Sequence, residues 1–203
     1  RDFLLKQSNA RVLRTEIIRA HRGMIVDTTG TPLAISTPVS SIYVNPRLYQ
    51  ATPTEQAQMA KQLGWSNAAL QQKLDRYKGR SFVYLRRQIS PESAANIKAL
   101  KVPGVFSEPE YKRFYPEGSV MAHVVGITNI DDQGQEGLEL AYNDWLQGQH
   151  GKQQVLKDRL GNVVSTVALL KQPEQGHNLT LTIDHRLQFI AYEALQKAIS
   201  TYH

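Results

Sequence analysis

The first quarter of the chain alternates apolar and polar positions in a way that predicts β-strands. Val12 to Ala20 interleave apolar and charged residues, which favours a long, half-exposed strand. Two short apolar runs, Met24 to Val26 and Pro32 to Ile35, flank a turn of small polar residues that ends at Gly30, and they predict a hairpin. Ser40 to Asn45 has the β-branched and aromatic content of a further strand. The last three strands are therefore expected to form a small meander.

Helical patterns follow, and each begins with a capping signal. Thr52 before Pro53 combines an N-cap residue with a first-turn proline, and Ser66 and Ser90 are N-cap residues of two further helices. The predicted helices are residues 56–63, 68–77 and 91–100, and the predicted strands are residues 81–87 and 105–115.

The last part of the chain mixes the two patterns. A hairpin is predicted from Gln153–Asp158 and Asn162–Leu169 around a turn at Gly161. Asp184 is expected to cap a helix with an apolar stripe. The other predicted elements are helices at residues 117–125 and 137–146 and a strand at residues 178–183. Strands and short helices in mixed order, with hairpins in place of regular β-α alternation, predict an α+β fold with antiparallel pairing. We expect an extended, lobed module.

Composition and charge exclude only a few classes of function. The 203 residues are 41% hydrophobic and 21% charged, which is a globular composition, and the formal net charge is +6. The densest basic stretches, Arg11 to Arg22 and Arg76 to Arg87, carry their charges between apolar residues, as solvated faces do. No nucleic-acid-binding signature accompanies them, so we expect no nucleic-acid partner. A protein that binds another polyanion remains an alternative.

Few residues offer catalytic or metal-binding chemistry. The chain has no cysteine, which excludes disulfides, thiolate metal sites and a cysteine nucleophile. The six histidines lack the spacing of a zinc site, and we expect no cofactor, no metal and no catalytic residue in this chain. The carboxylates between Asp131 and Glu139 suggest a cation site or an independent hydrolase, but an acidic first turn of a helix accounts for them better.

One absence is informative. The chain has no S-x-x-K, S-x-N or K-T-G, the three motifs of one class of serine acyl-transferases. This segment is therefore not expected to form an acyl-enzyme at such a site.

Four motifs in order carry a resemblance to a known family. They are "RGMIVDTTGTPLAIS", "RFYPEGSVMAHVVGITN", "GQEGLELAYNDWLQGQHG" and "KDRLGNVV". Over residues 11–170 the chain resembles the N-terminal, non-catalytic module of class B penicillin-binding proteins, the pedestal or dimerisation-type module. It is most like the division-specific septal peptidoglycan D,D-transpeptidase of Gram-negative bacteria. "LTLTIDHRLQFIAYEAL" resembles the segment that leads into the transpeptidase domain.

The family-motif residues suit architectural roles. Asp27 and Gly30 fit a tight turn, and Tyr115-Pro116 ends an extended run. Arg22 and Arg113 are expected to form bidentate ion pairs with carboxylates such as Asp27, Glu139 or Asp158. The motif positions taken as structural are Arg22, Gly23, Asp27, Gly30, Arg113, Tyr115, Pro116, Gly126, Gly137, Glu139, Gly148, Asp158 and Gly161.

The resemblance implies three parts of the chain and a location. Residues 1–20 would be a juxtamembrane segment, residues 11–172 the pedestal module, and residues 173–203 the strand and first helix leading to a transpeptidase domain missing from this chain. A single N-terminal transmembrane helix, also missing, would hold the module at the periplasmic face of the inner membrane. The cations expected to meet lipid headgroups or a partner are Lys6, Arg11, Arg14 and Arg19.

The resemblance also implies partners and a reaction of the parent protein. The partners would be a membrane-embedded glycan-strand polymerase, other division proteins and the protein's own transpeptidase domain. The parent would cross-link peptide stems through an active-site serine outside this chain. The alternative is the same module from an elongation-specific class B penicillin-binding protein.

Overall fold

A computed structural model describes residues 12–158 and 161–202. Mixed helices and strands make the fold α+β, as expected from the sequence. The strands are β1 Val12–Ile18, β2 Ile25–Val26, β3 Pro32–Val44, β4 Val83–Ile89, β5 Val105–Phe114, β6 Gly151–Lys157, β7 Val163–Lys171 and β8 Leu179–Thr180. The helices are α1 Pro53–Leu63, α2 Asn67–Arg76, α3 Pro91–Ala99, α4 Ala122–Val125, α5 Gly137–Ala141, α6 Asn143–Leu146 and α7 His185–Tyr202, with a 3₁₀ turn at Gly118–Val120.

The chain divides into two compact units. Unit 1 consists of Arg1–Ile18, Pro38–Glu110 and Lys152–Gln172, and unit 2 of Arg19–Thr37, Tyr111–Gly151 and Pro173–His203. The chain therefore passes between the units several times, and three of these boundaries fall within a strand, namely in β3, in β5 and at the start of β6.

Unit 1 combines a helical core with a three-stranded sheet. Its core packs the apolar faces of α1, α2 and α3 on β3 and β4, with Ile42, Leu63 and Leu70 completely buried. The strand β3 pairs with β4 in antiparallel fashion, with Val44 opposite Val83. The separate sheet has the order β1-β6-β7, and its β6–β7 hairpin was predicted.

The helix starts in unit 1 agree with the capping predictions. Thr52 forms a capping box with Glu55 at the start of α1, because each side chain accepts from the other residue's backbone N–H. The hydroxyls of Ser66 and Ser90 accept from the N3 amides of α2 and α3. These local signals were sufficient to place the three helices.

Unit 2 is built around the predicted hairpin of β2 and β3. Ile25 lies opposite Ala34, and Ile25, Leu33 and Leu146 are buried in the core of this unit. The strand β8 adds to the other edge of β2 in parallel orientation, with Ile25 beside Leu179. The expectation of antiparallel pairing was thus wrong for β8.

Four other element predictions were wrong in detail. The helix predicted at residues 117–125 is a 3₁₀ turn at Gly118–Val120 and a separate short helix, α4, at Ala122–Val125. The expected strands at residues 32–35 and 40–45 are one strand, β3, because Pro38 is exposed and its fixed φ is compatible with extended backbone. The helix predicted at residues 137–146 is broken at Tyr142, where φ is −112° and ψ is 25°. The strand predicted at residues 178–183 is reduced to Leu179–Thr180.

Candidate functional site

A buried ion cluster in unit 2 joins Arg22, Arg113 and Glu139. Arg22 and Glu139 are completely buried, and Arg113 is 7% exposed. The Nε and Nη2 of Arg22 lie 2.8 and 2.7 Å from Oε2 of Glu139, and Nε of Arg113 donates to Oε1 at 2.7 Å. One carboxylate therefore holds two guanidinium groups from segments far apart in the sequence.

Backbone and side-chain acceptors complete the surroundings of the cluster. Arg22 also donates to the backbone oxygens of Asp132 and Glu139 and to Oδ1 of Asn143, each at 3.0 Å. Arg113 donates to Oγ of Ser36 at 3.0 Å. The cluster thus ties the segment after β1 to β3, β5, α5 and α6.

Asp132 lies beside the cluster in a constrained position. It has a left-handed backbone with φ of 64°, and its Oδ1 is buried without a hydrogen-bond partner in the described part of the chain. Burial raises the pKa of this carboxyl, and the charge of Glu139 adds to that effect against the opposing charges of Arg22 and Arg113. The ionised form of Asp132 is therefore disfavoured in the fold.

Asp27 organises a second set of contacts in unit 2. Its Oδ1 accepts from the backbone N–H groups of Thr29 and Thr31 at 2.8 Å each, which fixes the hairpin turn. Its Oδ2 lies 2.6 Å from Nδ1 of His185 and accepts from the His185 backbone N–H at 3.2 Å. Burial alone would raise the pKa of Asp27, but these hydrogen bonds outweigh it and lower the pKa.

The contact between Asp27 and His185 connects the hairpin turn to the first residue of α7. A carboxylate in this position complements the partial positive charge at a helix N-terminus. Together with Asp184, the two residues place three potential metal ligands within 4.8 Å of one another. Asp184 is already bound by Arg186, whose Nη2 lies 2.7 Å from its Oδ2. The hydrogen bonds between His185 and Asp27 and the ion pair between Asp184 and Arg186 therefore explain the grouping.

Two motif glycines lie against backbone that leaves no room for a side chain. A Cβ on Gly126 would stand 1.9 Å from the carbonyl oxygen of Glu136, and φ is 77° at this residue. A Cβ on Gly23 would stand 1.9 Å from the carbonyl oxygen of His177. Glycine is required at both positions because another backbone segment of the same chain occupies the space that a Cβ would need.

The remaining motif residues of unit 2 lie at turns and contacts near these groups. Tyr115 follows β5, and its hydroxyl accepts from the backbone N–H of Thr128 at 2.9 Å. Burial, and then the charge of Glu139, raise the pKa of Tyr115. The other motif residues of this unit are Gly30 in the hairpin turn, Pro116 after Tyr115, Gly137 at the start of α5 and Gly148 after α6.

Two motif residues lie in unit 1, in the turn between β6 and β7. Oδ1 of Asp158 accepts from the backbone N–H of Asn162 at 2.9 Å, and the Gly161 amide donates to the Asp158 carbonyl at 3.0 Å. These contacts hold the turn. Arg22 and Arg113 each form an ion pair with Glu139. Arg159 and Leu160 of the motif segment "KDRLGNVV" lie outside the described residues, as do Lys6 and Arg11 of the cations expected to meet headgroups or a partner.

Sequence reasoning missed several partners of the motif residues. Ser36, Asn143 and His185 carried no local signal, since each becomes a ligand only when distant segments meet. Unit 1 also holds an unpredicted buried carboxylate, Glu110, which accepts from the hydroxyl of Ser41 and from Arg87. The one indication in the sequence was that Glu110 is an acidic residue within a strand, β5, that is otherwise partly buried.

The cluster is suited to holding segments together and not to acid-base catalysis. Both oxygens of Glu139 are occupied by guanidinium donors, and the side chain has no exposed surface. Glu139 is therefore inaccessible to a substrate, which removes one carboxylate from the hydrolase alternative.

Comparison with known proteins agrees with this architecture. Residues 17–181 match the sequence model of the family described as "Penicillin-binding Protein dimerisation domain". The chain is 43% identical over 198 residues to the "Probable peptidoglycan D,D-transpeptidase PbpC" of Pseudomonas aeruginosa, covering 98% of this chain and 35% of that protein. It is 40% identical over 205 residues to the "Peptidoglycan D,D-transpeptidase FtsI" of Escherichia coli K12, covering 98% and 34%. The chain thus spans about a third of the length of these relatives.

Solved structures show the same fold at lower identity. The chain matches penicillin-binding protein 2 in its complex with MreC from Helicobacter pylori with a TM-score of 0.65 and 21% identity, covering 92% of this chain and 39% of that one. It matches penicillin-binding protein 2X of Streptococcus thermophilus with a TM-score of 0.63 and 24% identity, covering 91% and 31%.

Proposed function

The chain belongs to the family of penicillin-binding protein dimerisation domains, and on this premise we propose that it is the non-catalytic scaffold and interaction module of a septal peptidoglycan D,D-transpeptidase. The observation that carries the proposal is the buried ion cluster. Arg22, Arg113 and Glu139 come from three different family motifs and meet in one network with no accessible catalytic group.

The named relatives support the assignment to a peptidoglycan D,D-transpeptidase. FtsI of Escherichia coli and PbpC of Pseudomonas aeruginosa are similar to this chain over 98% of its length at 40% identity or more. The similarity to penicillin-binding protein 2 of Helicobacter pylori, at 21% identity, concerns the fold. We favour the division-specific protein over the elongation-specific one because of the resemblance of the segments "TPVSSIYVNP" and "GSVMAHVVGITNIDDQGQEG".

The parent protein, in this proposal, is an enzyme although this chain is not. Its serine attacks the D-Ala-D-Ala bond of a peptide stem, releases D-Ala and passes the acyl group to an amine of a neighbouring stem. The module then works at the periplasmic face of the inner membrane, where it contacts a membrane-embedded glycan-strand polymerase, other division proteins and its own transpeptidase domain. The complex of the Helicobacter pylori relative with MreC supports a protein partner in general, not the polymerase in particular.

The proposal assigns a role to each of three parts of the chain. Residues 1–20 approach the membrane, residues 11–172 form the pedestal and residues 173–203 lead to the transpeptidase domain. No helix within residues 12–158 and 161–202 has the length and apolarity needed to cross a bilayer.

Labelling with a fluorescent penicillin tests the enzyme part of the proposal. The full-length protein from the same gene should label, and this 203-residue chain should not. Depletion of the full-length protein tests the septal part, because a block in division leaves growing cells as filaments, whereas a block in elongation gives round cells. Labelling of the 203-residue chain, or round cells on depletion, would contradict the respective part.

A further inference from the structure

The middle of unit 2 carries negative charge without a compensating basic residue. Residues 114–151 contain no lysine or arginine, but they contain six aspartates and glutamates. Over its described residues, unit 2 has 6 lysines and arginines against 10 aspartates and glutamates, a net charge of −4, although the whole chain carries +6. A cationic partner is therefore expected to approach this part of the unit.

One surface cavity within this stretch brings aromatic rings and a carboxylate together. It has a volume of about 440 Å³ and is lined by Leu140, Ala141, Tyr142, Asn143, Asp144 and Trp145. The cavity lies where the helical pattern is broken at Tyr142, between α5 and α6. Three of its side chains are about half exposed, at 54% for Leu140, 46% for Tyr142 and 51% for Trp145. An incoming group can therefore reach apolar, aromatic and acidic side chains in one place.

The carboxylate of Asp144 has no partner in the fold. Within residues 12–158 and 161–202 it forms no hydrogen bond and no ion pair, whereas Glu139 in the same segment is bound by two arginines. Asp144 lies in the first turn of α6, but that helix has only four residues, so few aligned peptide dipoles are there to be complemented. The carboxylate is thus available to a cation from another molecule.

The ring of Trp145 is fixed at one side of the cavity. Its Nε1 donates to the backbone oxygen of Asn178 at 3.2 Å, and the ring of His177 lies 4.4 Å away between centroids at an angle of 35°. An aromatic ring attracts guanidinium and ammonium groups to its face. Because this ring is already held in place, little conformational freedom is lost when a ligand packs on it.

We propose that the cavity between α5 and α6 binds an arginine side chain of a partner protein. The guanidinium pairs with the carboxylate of Asp144 and lies against the rings of Tyr142 and Trp145. The aliphatic stem of the arginine contacts Leu140. Arginine fits better than lysine because its planar guanidinium both binds a carboxylate through two parallel hydrogen bonds and stacks on aromatic rings.

A protein is a better occupant than a free small molecule because the cavity is open to solvent. All six lining residues are consecutive in the chain, and the three largest apolar side chains keep about half of their surface exposed. Small-molecule sites typically bury about 70–90% of their ligand, which this depression does not do. An arginine held by its own protein does not need such enclosure. The proposal concerns this chain's own surface and is independent of the transpeptidase assignment.

The fluorescence of Trp145 tests the proposal. Trp65→Phe leaves Trp145 as the one tryptophan of the 203-residue chain. Titration with N-acetylarginine amide should change the emission of Trp145 in a saturable way. The uncharged isostere N-acetylcitrulline amide should bind about fivefold more weakly, because it offers neither an ion pair nor a cation to the rings. Raising the salt concentration should weaken binding of the arginine amide, because the screening length shortens.

Matched variants locate the contact in the cavity. Asp144→Asn keeps the shape of the side chain and should weaken binding of the arginine amide about fivefold, without changing the binding of the citrulline amide. Tyr142→Leu should also weaken binding, whereas Tyr142→Phe, which keeps the ring, should bind like the wild type. Glu136→Gln is the control, because Glu136 is exposed and removes the same charge from the same segment but does not line the cavity. It should bind like the wild type.

A single thiol at the cavity tests which molecule occupies it. The chain has no cysteine, so Asp144→Cys introduces one site for a maleimide. The thiol should react equally fast in the 203-residue chain and in the full-length protein from the same gene, with unsubstituted full-length protein as the background. Protection in the full-length protein alone would assign the cavity to another part of the parent, and protection that increases with the concentration of the chain would assign it to a second copy.

Several other results would overturn the proposal. Equal titration curves for the two amides would show that the positive charge is not recognised. Wild-type affinity in Asp144→Asn would exclude the carboxylate as a partner of the arginine. Equal losses in Glu136→Gln and Asp144→Asn would show attraction to the acidic segment as a whole and not to the cavity.

Discussion

Replacing Glu139 by glutamine tests the buried ion cluster most directly. The amide keeps the shape of the side chain but removes the charge that faces Arg22 and Arg113. Two guanidinium groups, one completely buried and one 7% exposed, would then lack their carboxylate. We expect Glu139→Gln to destabilise the protein because a buried charge without a partner is costly.

The size of the effect follows from the contacts. Glu139 makes three charge-assisted contacts of 2.7–2.8 Å with the two arginines. Removing one partner of a buried pair typically costs about 3–5 kcal/mol, and we expect a loss in this range. Such a loss is a large part of the total stability of a domain, about 5–15 kcal/mol.

Urea unfolding followed by tryptophan fluorescence provides the assay. The two tryptophans lie in different units, Trp65 in unit 1 and Trp145 in unit 2, so Trp65→Phe leaves a reporter in the unit that contains Glu139. Glu136→Gln in the same background is the matched control, because Glu136 is exposed. A loss below about 1 kcal/mol for Glu139→Gln, or an equal loss for Glu136→Gln, would refute the reasoning.

Three further substitutions test the glycine contact, the capping box and the ionisation of Asp27. Gly126→Ala should cost more than Gly30→Ala in urea unfolding, by about 1–3 kcal/mol, because both glycines have positive φ but only Gly126 touches another backbone; equal losses would contradict this reading. Thr52→Ala should cost about 1 kcal/mol, seen through Trp65, and no loss would mean that the box contributes nothing. The lowered pKa of Asp27 stabilises the fold above pH 3.8, the ordinary value, and this contribution is lost as the pH falls further. The stability of Asp27→Asn should therefore fall less steeply in acid than that of the wild type, and parallel pH profiles would contradict the prediction.

Elements with local signals could be predicted from the sequence. The caps at Thr52, Ser66 and Ser90 act over three residues, and the polar turn of the first hairpin acts over a few more. Each of these signals depends only on residues a few positions away, so the local sequence determines where the helix or turn forms. The starts of α1, α2 and α3 and the pairing of β2 with β3 followed from them.

Features that depend on distant partners could not be predicted in the same way. The strand β8 is short and parallel because its backbone bonds to Met24 and Val26, about 155 residues earlier in the chain. No pattern within residues 178–183 carries that information. The break at Tyr142 is of the same kind, since a helix-favouring pattern runs through it.

Glu139 shows how a local explanation and the tertiary role of one residue can differ. Its place in the first turn of α5 suits the helix dipole, and that explanation is complete without any partner. Its contacts are instead with arginines 117 and 26 residues away in sequence. A residue that serves the helix alone would tolerate glutamine, whereas one that neutralises two buried cations would not.

The contribution of the buried charges can be tested separately from the contribution of the shape of the module. Buried ion pairs are often replaceable by apolar residues of similar volume with little loss of stability, provided that all of the charged partners change together. The triple variant Arg22→Met, Arg113→Met and Glu139→Leu should therefore unfold at a urea concentration closer to the wild type than Glu139→Gln does. If the module acts through its shape, a full-length protein with these three changes should still support division. If the variant protein is stable but does not support division, the polar cluster itself is needed for the function of the module, beyond its shape.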